Sequence, residues 1–238
     1  MSRLLKINWN KPCLRVGTIS TWEGLKLLSK KQSSADIVEV RIDALFANNR
    51  SIENVQAEME KRKNPVLLTL RTKDEGGKYS WKSTERSLVF KELIPLADAI
   101  DVELKNAHFH KDILRQARSM NRGLILSAHS LTRKLTMRKA QRWMDEFRKH
   151  RANVYKIATL ARTREDLNVL TRILLDYKNT TSIMAIGPMA QISRTIFPPL
   201  GSKLAYGYMD VPAAKTQPSM EDVSQRLDEV MPLLPKKL

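Results

Sequence analysis

Eight short apolar runs, each followed by a longer polar stretch of helical character, constrain this 238-residue chain more than any other feature. They cover residues 14–19, 37–42, 66–70, 100–104, 124–128, 154–158, 182–186 and 203–207, the last being weak and placed mainly by its position. Strands that alternate with helices predict a parallel sheet, because a parallel connection needs a crossover. Eight strands are the number that closes a (β/α)8 TIM barrel, an α/β fold, and the chain has that fold's usual size. Period alone does not show closure, so a doubly wound open sheet stands as the alternative. The chain reads as one domain over 1–238, with no internal repeat, low-complexity tract or Pro/Gly-rich linker.

Polar residues inside these runs follow strand parity, in which residues two apart share a face. Glu39 and Arg41 oppose Val38, Val40 and Ile42, and Asp43 follows on their side. Thr69 pairs with Arg71, Asp101 with Glu103, and Ser127 with His129, while Lys156 shares a face with Val154 and Ala158. Both faces of a barrel strand are covered, so a charge on one parity is expensive unless it pairs or lines a site. Most of these residues lie toward the C-terminal ends of the runs, where barrel enzymes hold their active sites. Half-exposed antiparallel strands would explain any one run, but not five with helices between them. The expected result is a polar, mutually compensated mouth.

A lysine desolvated among apolar residues and near other cations has its ammonium form disfavoured, which frees the amine to attack a carbonyl. A histidine beside it shuttles protons near neutral pH, and a carboxylate orients the imidazole. That set suits imine chemistry, which class I aldolases and dehydratases share.

Composition narrows the field. The 42% hydrophobic content supports a sizeable core. Cys13 is the single cysteine, so no internal disulfide or multi-cysteine metal site is expected, and a reducing compartment suits it. The N-terminus lacks a continuous apolar stretch and no run reaches membrane-spanning length, so a cytoplasmic chain with no membrane partner is expected. The net charge of +17 admits nucleic acid, an anionic membrane surface or a small anionic substrate as partner. Residues 131–151 hold eight Lys or Arg interleaved with Trp143, Asp145, Glu146 and Phe147, which predicts an amphipathic helix with a solvated basic face. No nucleic-acid-binding motif or Gly-rich phosphate loop accompanies it.

Seven segments carry a resemblance to the type I 3-dehydroquinate dehydratases. Glu39-Val-Arg41-Ile-Asp43 resembles that family's E-x-R-x-D strand, and Arg71-Thr-Lys-Asp-Glu75-Gly-Gly its R-x-x-x-E-G-G loop. Asp101-Val-Glu103 is similar to the D-x-E strand, Ser127-Ala-His129 to the S-x-H strand, and Lys156 sits as the imine-forming lysine does. Ile192-Ser-Arg194 is similar to the I-S-R element, and Gln217 to the glutamine of the last loop. The matches run in family order from residue 39 to 217.

The resemblance implies a role for each. Lys156 condenses with the ring ketone of 3-dehydroquinate, His129 moves the protons, and Glu75 orients and tunes His129. Glu39, Arg41 and Arg71 contact the imine region and the ring hydroxyls. Arg194 holds the substrate carboxylate, supported by Gln217. The product is 3-dehydroshikimate, formed by syn loss of water with no metal or organic cofactor, in a homodimer. Two departures stand out. Met184-Ala-Ile186 replaces a Met-x-Met pair, and 213–217 reads Ala-Ala-Lys-Thr-Gln where the family often has Ser-Ala-Pro-Gly-Gln. A class I aldolase, or a basic nucleic-acid-binding protein on a retired barrel, are the competing readings.

Overall fold

Every strand of the computed structural model, which describes residues 4–48, 51–177, 180–214 and 216–234, belongs to one parallel sheet. The strands are β1 (Leu14–Ile19), β2 (Ile37–Arg41), β3 (Val66–Thr69), β4 (Ala99–Glu103), β5 (Gly123–Lys134), β6 (Val154–Leu160), β7 (Thr181–Ile186) and β8 (Leu204–Tyr208). Helices α1 (Trp22–Leu25), α2 (Ile42–Ala47), α3 (Ile52–Met59), α4 (Ser83–Leu93) and α5 (Lys111–Ser119) lie in the first half. Helices α6 (Met137–Arg148), α7 (Arg164–Asp176), α8 (Ala190–Ile196) and α9 (Met220–Val230) complete the set. Each strand from β1 to β7 pairs with its sequence neighbours in that run and β8 returns to β1, so the sheet is a nearly closed (β/α)8 barrel and not a doubly wound open sheet.

The order runs β7-β6-β5-β4-β3-β2-β1-β8, and no backbone ladder joins β7 to β8. That seam is held by other means. Lys203 N donates to Thr181 O at 3.1 Å, and Ser182 Oγ to Leu204 O at 3.1 Å. Ser202 Oγ accepts from Ile183 N at 3.0 Å.

Parity sorts the core into two parts. Val38, Val40, Leu68, Ile100, Val102, Leu126 and Ile157 face outward, into the layer between sheet and helices. Leu14, Val16, Ile37, Leu67, Ala99, Ile125 and Val154 fill the barrel interior toward the N-terminal ends of the strands. Ile7 and Trp9 pack on that interior cluster from below. Gly123 makes room for Trp9, because a Cβ there would lie 2.3 Å from its indole.

Helices begin where the sequence offers caps. Thr136 Oγ1 accepts from Lys139 N, and Thr163 with Asp166 forms a capping box on α7. In α7 the buried Leu167, Leu170, Ile173 and Leu174 make one apolar stripe. The basic stretch divides differently from expectation. Residues 131–134 extend β5, where a register shift lets the strand run on, and only Met137–Arg148 is helical. That helix buries Ala140, Met144 and Phe147, and Lys134, Arg148 and Lys149 carry mostly exposed side chains. No helix among the described residues is long and apolar enough to cross a membrane.

One buried ion pair lies away from the mouth. Arg62 Nε donates to Asp98 Oδ2 at 2.9 Å, and Asp98 also accepts from Leu5 N and Val66 N. Removing one partner of a buried pair leaves the other charge uncompensated. Asp98→Ala is therefore expected to lower unfolding free energy by about 3–5 kcal/mol in denaturant titration. A loss below about 1 kcal/mol would mean that the pair behaves as an exposed one does.

Candidate active site

The register of four adjacent strands fixes the chemistry before any side chain is considered. Glu103 lies level with Ser127, Ser127 with Lys156, and Lys156 with Ser182, all pointing inward. One residue closer to the strand starts would turn each of them into the helix layer.

Arg71 follows β3 and is 3% exposed inside the barrel. Its guanidinium reaches Asp101 at 2.9 Å, Glu103 at 3.2 Å and Ser127 Oγ at 2.7 Å. Asp101 accepts from Ser127 Oγ at 2.6 Å and from Lys156 Nζ at 3.2 Å. Burial alone would raise the Asp101 pKa, but Arg71 and Lys156 outweigh it and hold the carboxyl below its usual range. Lys156 Nζ also lies 3.7 Å from Glu39 and 4.0 Å above the centre of the Tyr206 ring. Its immediate partners are thus carboxylates and an aromatic face. The cations expected beside it from sequence are one step removed, Arg71 lying across Asp101.

Glu39 is held by two hydroxyls, Thr18 Oγ1 at 3.0 Å and Thr69 Oγ1 at 2.9 Å. Arg41 is locked onto Asp43 through two parallel bonds of 2.9 and 2.8 Å. Asp43 in turn accepts from Arg71 N and Lys78 N, which ties α2 to the loop after β3.

That loop presents Glu75. A short 3-10 turn, Lys73–Glu75, ends at Gly76 with φ of 90°, a left-handed conformation that favours glycine. Gly77 packs so closely that a Cβ would meet Arg71 O at 2.1 Å. Glu75 Oε2 then lies 2.7 Å from His129 Nδ1. Burial pushes the Glu75 carboxyl up to about 8, against the pull of Arg71 and with Glu103 and Asp101 adding to the rise. Burial also drives the His129 imidazole well below its ordinary value, and Arg71 and Lys156 act in the same direction. Both groups are pushed toward neutrality, and they titrate as one pair.

Arg194 stands on α8 under different conditions. Its Nε donates to Tyr206 O at 3.0 Å, and Nη1 donates to Ala185 O at 3.1 Å and Ala190 O at 2.9 Å. No carboxylate pairs with it among the described residues, and burial pulls its pKa down to about 10. A desolvated guanidinium with only carbonyl partners is a site prepared for an anion. Ser193 beside it does not reach the cavity. Its hydroxyl accepts from Ala185 N and donates to Ala190 O, so it anchors α8 to β7. Gln217 Oε1 accepts from Ala213 N at 2.8 Å and shapes the last loop. Ala213, Ala214, Thr216 and Gln217 border the cavity; Lys215 lies outside the described residues.

All eight residues singled out from sequence, Glu39, Arg41, Arg71, Glu75, His129, Lys156, Arg194 and Gln217, line one cavity of about 320 Å³. Sequence reading turned Asp101 inward but gave it no role, although it is a direct partner of Lys156. It passed over Tyr206 and Leu131, which also line the cavity. The alternation of Leu204, Tyr206 and Tyr208 was the available signal for Tyr206, in a run recognised chiefly by position.

A buried lysine at the C-terminal mouth of a (β/α)8 barrel, beside a hydrogen-bonded His–Glu pair, defines a lyase of the imine-forming kind. Comparison with known proteins identifies which. The family model for type I 3-dehydroquinase matches residues 13–231, and the chain belongs to that family, the Schiff-base-forming 3-dehydroquinate dehydratases, which are hydro-lyases. A 3-dehydroquinate dehydratase of Hydrogenobaculum sp. is 31% identical over 203 residues, spanning 81% of this chain and 88% of its own. One from Methanosarcina barkeri is 30% identical, spanning 82% and 85%. The crystal structure of 3-dehydroquinate dehydratase from Geobacillus kaustophilus superposes with a TM-score of 0.82 over 93% of this chain and 92% of that one. At 20% identity this bears on the fold alone. Family membership favours the dehydratase over the aldolase and nucleic-acid readings.

The His129–Glu75 pair predicts a pH dependence. A lone pair on His129 Nε2 requires the proton on Nδ1, facing an ionised Glu75. Below about 8 the pair gains a proton and loses that lone pair. The kcat/KM is expected to rise as pH increases through about 8, measured in a pH–rate profile. Glu75→Gln should move this limb to the acid side, where the lowered imidazole alone titrates. A limb that stays in place in the variant would remove Glu75 from the titrating pair.

Proposed function

We propose that this cavity dehydrates 3-dehydroquinate to 3-dehydroshikimate with Lys156, His129 and Glu75 as the catalytic set. One observation carries the assignment: buried Lys156 shares its cavity with the His129–Glu75 pair and with Arg194, a half-buried cation that no acidic side chain meets among the described residues. The pair is the proton carrier, Lys156 the nucleophile and Arg194 the anchor for an anionic substrate.

The steps follow from bond-making at Nζ. Lys156 sheds a proton, its amine adds to the ring ketone, and the carbinolamine loses water to give an imine. His129 takes a proton from the carbon beside the imine, leaving an enamine. The enamine pushes out the ring hydroxyl, which departs as water with a proton from His129. Hydrolysis of the new imine frees the enone product and Lys156. Asp101 and Glu39 hold Nζ, and Glu75 keeps the imidazole oriented. Arg41 and Arg71, each held by carboxylates, offer their remaining donors to ring hydroxyls, and Gln217 supports the carboxylate end. The same reading places the enzyme in the shikimate pathway, in the cytoplasm and in a homodimer. The lone buried thiol of Cys13 suits a reducing compartment.

Incubation with 3-dehydroquinate should develop the absorbance of a conjugated enone. Borohydride added with substrate should leave the ligand mass on a peptide containing Lys156, and Lys156→Ala should abolish both adduct and turnover. His129→Ala keeps the amine, so it should still form the adduct while turnover falls about 10²–10⁴-fold. An adduct on another lysine, or full activity in Lys156→Ala, would sink the mechanism.

Arg194→Lys separates charge from geometry. An ammonium keeps the charge but lacks the paired donors that match a carboxylate. The lost charge-assisted bond is worth roughly 1.5–3 kcal/mol, so kcat/KM is expected to fall about tenfold to hundredfold in steady-state kinetics. An unchanged kcat/KM would take Arg194 out of the substrate site.

A further inference from the structure

The last loop is hydrogen-bonded to the rest of the barrel through one side chain. It leaves β8 and returns to α9 with its neck closed on itself, Tyr208 N donating to Pro218 O at 3.1 Å. Its residues Ala213, Ala214, Thr216 and Gln217 form one wall of the cavity. Inside the loop, Gln217 N donates to Ala214 O at 2.9 Å and Ala213 N to Gln217 Oε1 at 2.8 Å, so these bonds shape the wall without locating it. Among the described residues, every hydrogen bond that ties 210–217 to another element ends on the carboxylate of Asp210.

That carboxylate binds the turn between β1 and α1. Asp210 Oδ2 accepts from Ser20 N at 2.7 Å, Thr21 N at 2.6 Å and Thr21 Oγ1 at 2.9 Å. Oδ1 accepts from Ser20 Oγ at 3.4 Å and, within the loop, from Val211 N at 2.7 Å. Main-chain N–H groups donating to an ionised carboxylate make bonds roughly twice as strong as neutral ones. Thr21 is itself fixed, because its hydroxyl caps α1 by accepting from Gly24 N. Gly24 in turn leaves the carboxylate its place, since a Cβ there would lie 2.3 Å from Asp210 Oδ2. Residues 213–217 hold no proline, so the backbone of the wall is not restricted from within.

We infer that Asp210 is a positioning residue for the dehydration: it pins the root of the last loop to the start of α1 and so holds the 213–217 wall in place against the substrate. The inference rests on this cavity being the substrate site. A loop that samples other arrangements lowers apparent affinity in proportion to the fraction of molecules with the wall in place. Lys156 stands on β6, His129 on β5 and Glu75 on the loop after β3, so none of them depends on this anchor. Loss of the anchor therefore falls on KM and spares the steps that follow binding.

The test is Asp210→Ala, which removes both acceptor oxygens and leaves every cavity residue in the chain. With 3-dehydroquinate as substrate, KM is expected to rise about tenfold, the effect of a wall in place about a tenth of the time, while kcat stays within about twofold. Gly24→Ala crowds the same carboxylate from α1 without touching the loop, and should raise KM in the same sense by a smaller factor. Borohydride with saturating substrate should still leave the ligand mass on Lys156 in both variants. An unchanged KM, or a loss carried by kcat at constant KM, would overturn the assignment, even with a lowered melting temperature. If Asp210→Ala does not fold, Asp210→Asn, which keeps one acceptor oxygen, decides by the same split. Absence of turnover in the parent enzyme would instead overturn the reading of the cavity, and parent activity leaves Asp210 alone on trial.

Discussion

Arg71 is the interaction on which the mouth of this barrel depends. It sits where three strands converge and engages Asp101, Glu103 and Ser127 together. Asp101 passes the constraint to Lys156, and Glu103 passes it to Arg86 on α4 and to Thr72 N in the loop that carries Glu75. Lys156 and the loop that carries Glu75 are therefore positioned by one guanidinium. A low-dielectric interior makes such a network strong when complete and costly when any member is removed, so its members are held to one arrangement.

Burial serves two opposite ends within a few residues of this cavity. Arg71 is buried with its counterions, and they fix its position in the cavity wall. Arg194 is half-buried against backbone carbonyls, and among the described residues no carboxylate meets it. The His129–Glu75 pair lies between these cases: two groups of opposite charge type, both pressed toward neutrality, with one short contact between them. Which role a charged side chain plays is set by the partners the fold places around it and not by how deeply it lies.

The strands that could be read from sequence were those whose alternation is cleanest. Glu39 and Arg41 against Val38 and Val40, or Asp101 and Glu103 against Ile100 and Val102, fix both the strand and its inner face. All eight site residues named from sequence line one cavity: parity and family motif agree for Glu39, Arg41, Arg71, His129 and Lys156, and the motif alone singles out Glu75, Arg194 and Gln217. Tertiary partners were not legible. Nothing local says that Asp101 receives Lys156, that Ser193 is taken up by backbone, or that Arg62 and Arg86 are buried ion-pair members. The run after His129 misled for a related reason. Its charges have helical spacing from residue 131, yet β5 continues to Lys134 beside β6, where strand pairing outweighs local preference.

The seam between β7 and β8 differs in kind from the other joints of the barrel. Elsewhere the strands are laced by peptide groups, which every residue type carries, so substitution leaves the lacing in place. At the seam a single peptide bond, Lys203 N to Thr181 O, is joined by the hydroxyls of Ser182 and Ser202 and by the guanidinium of Arg194, which spans Ala185 on one strand and Tyr206 on the other. Side chains are what mutation changes. Barrel closure at this joint is thus heritable in part residue by residue, and a substitution of Arg194 that changes the cavity acts on the integrity of the barrel as well.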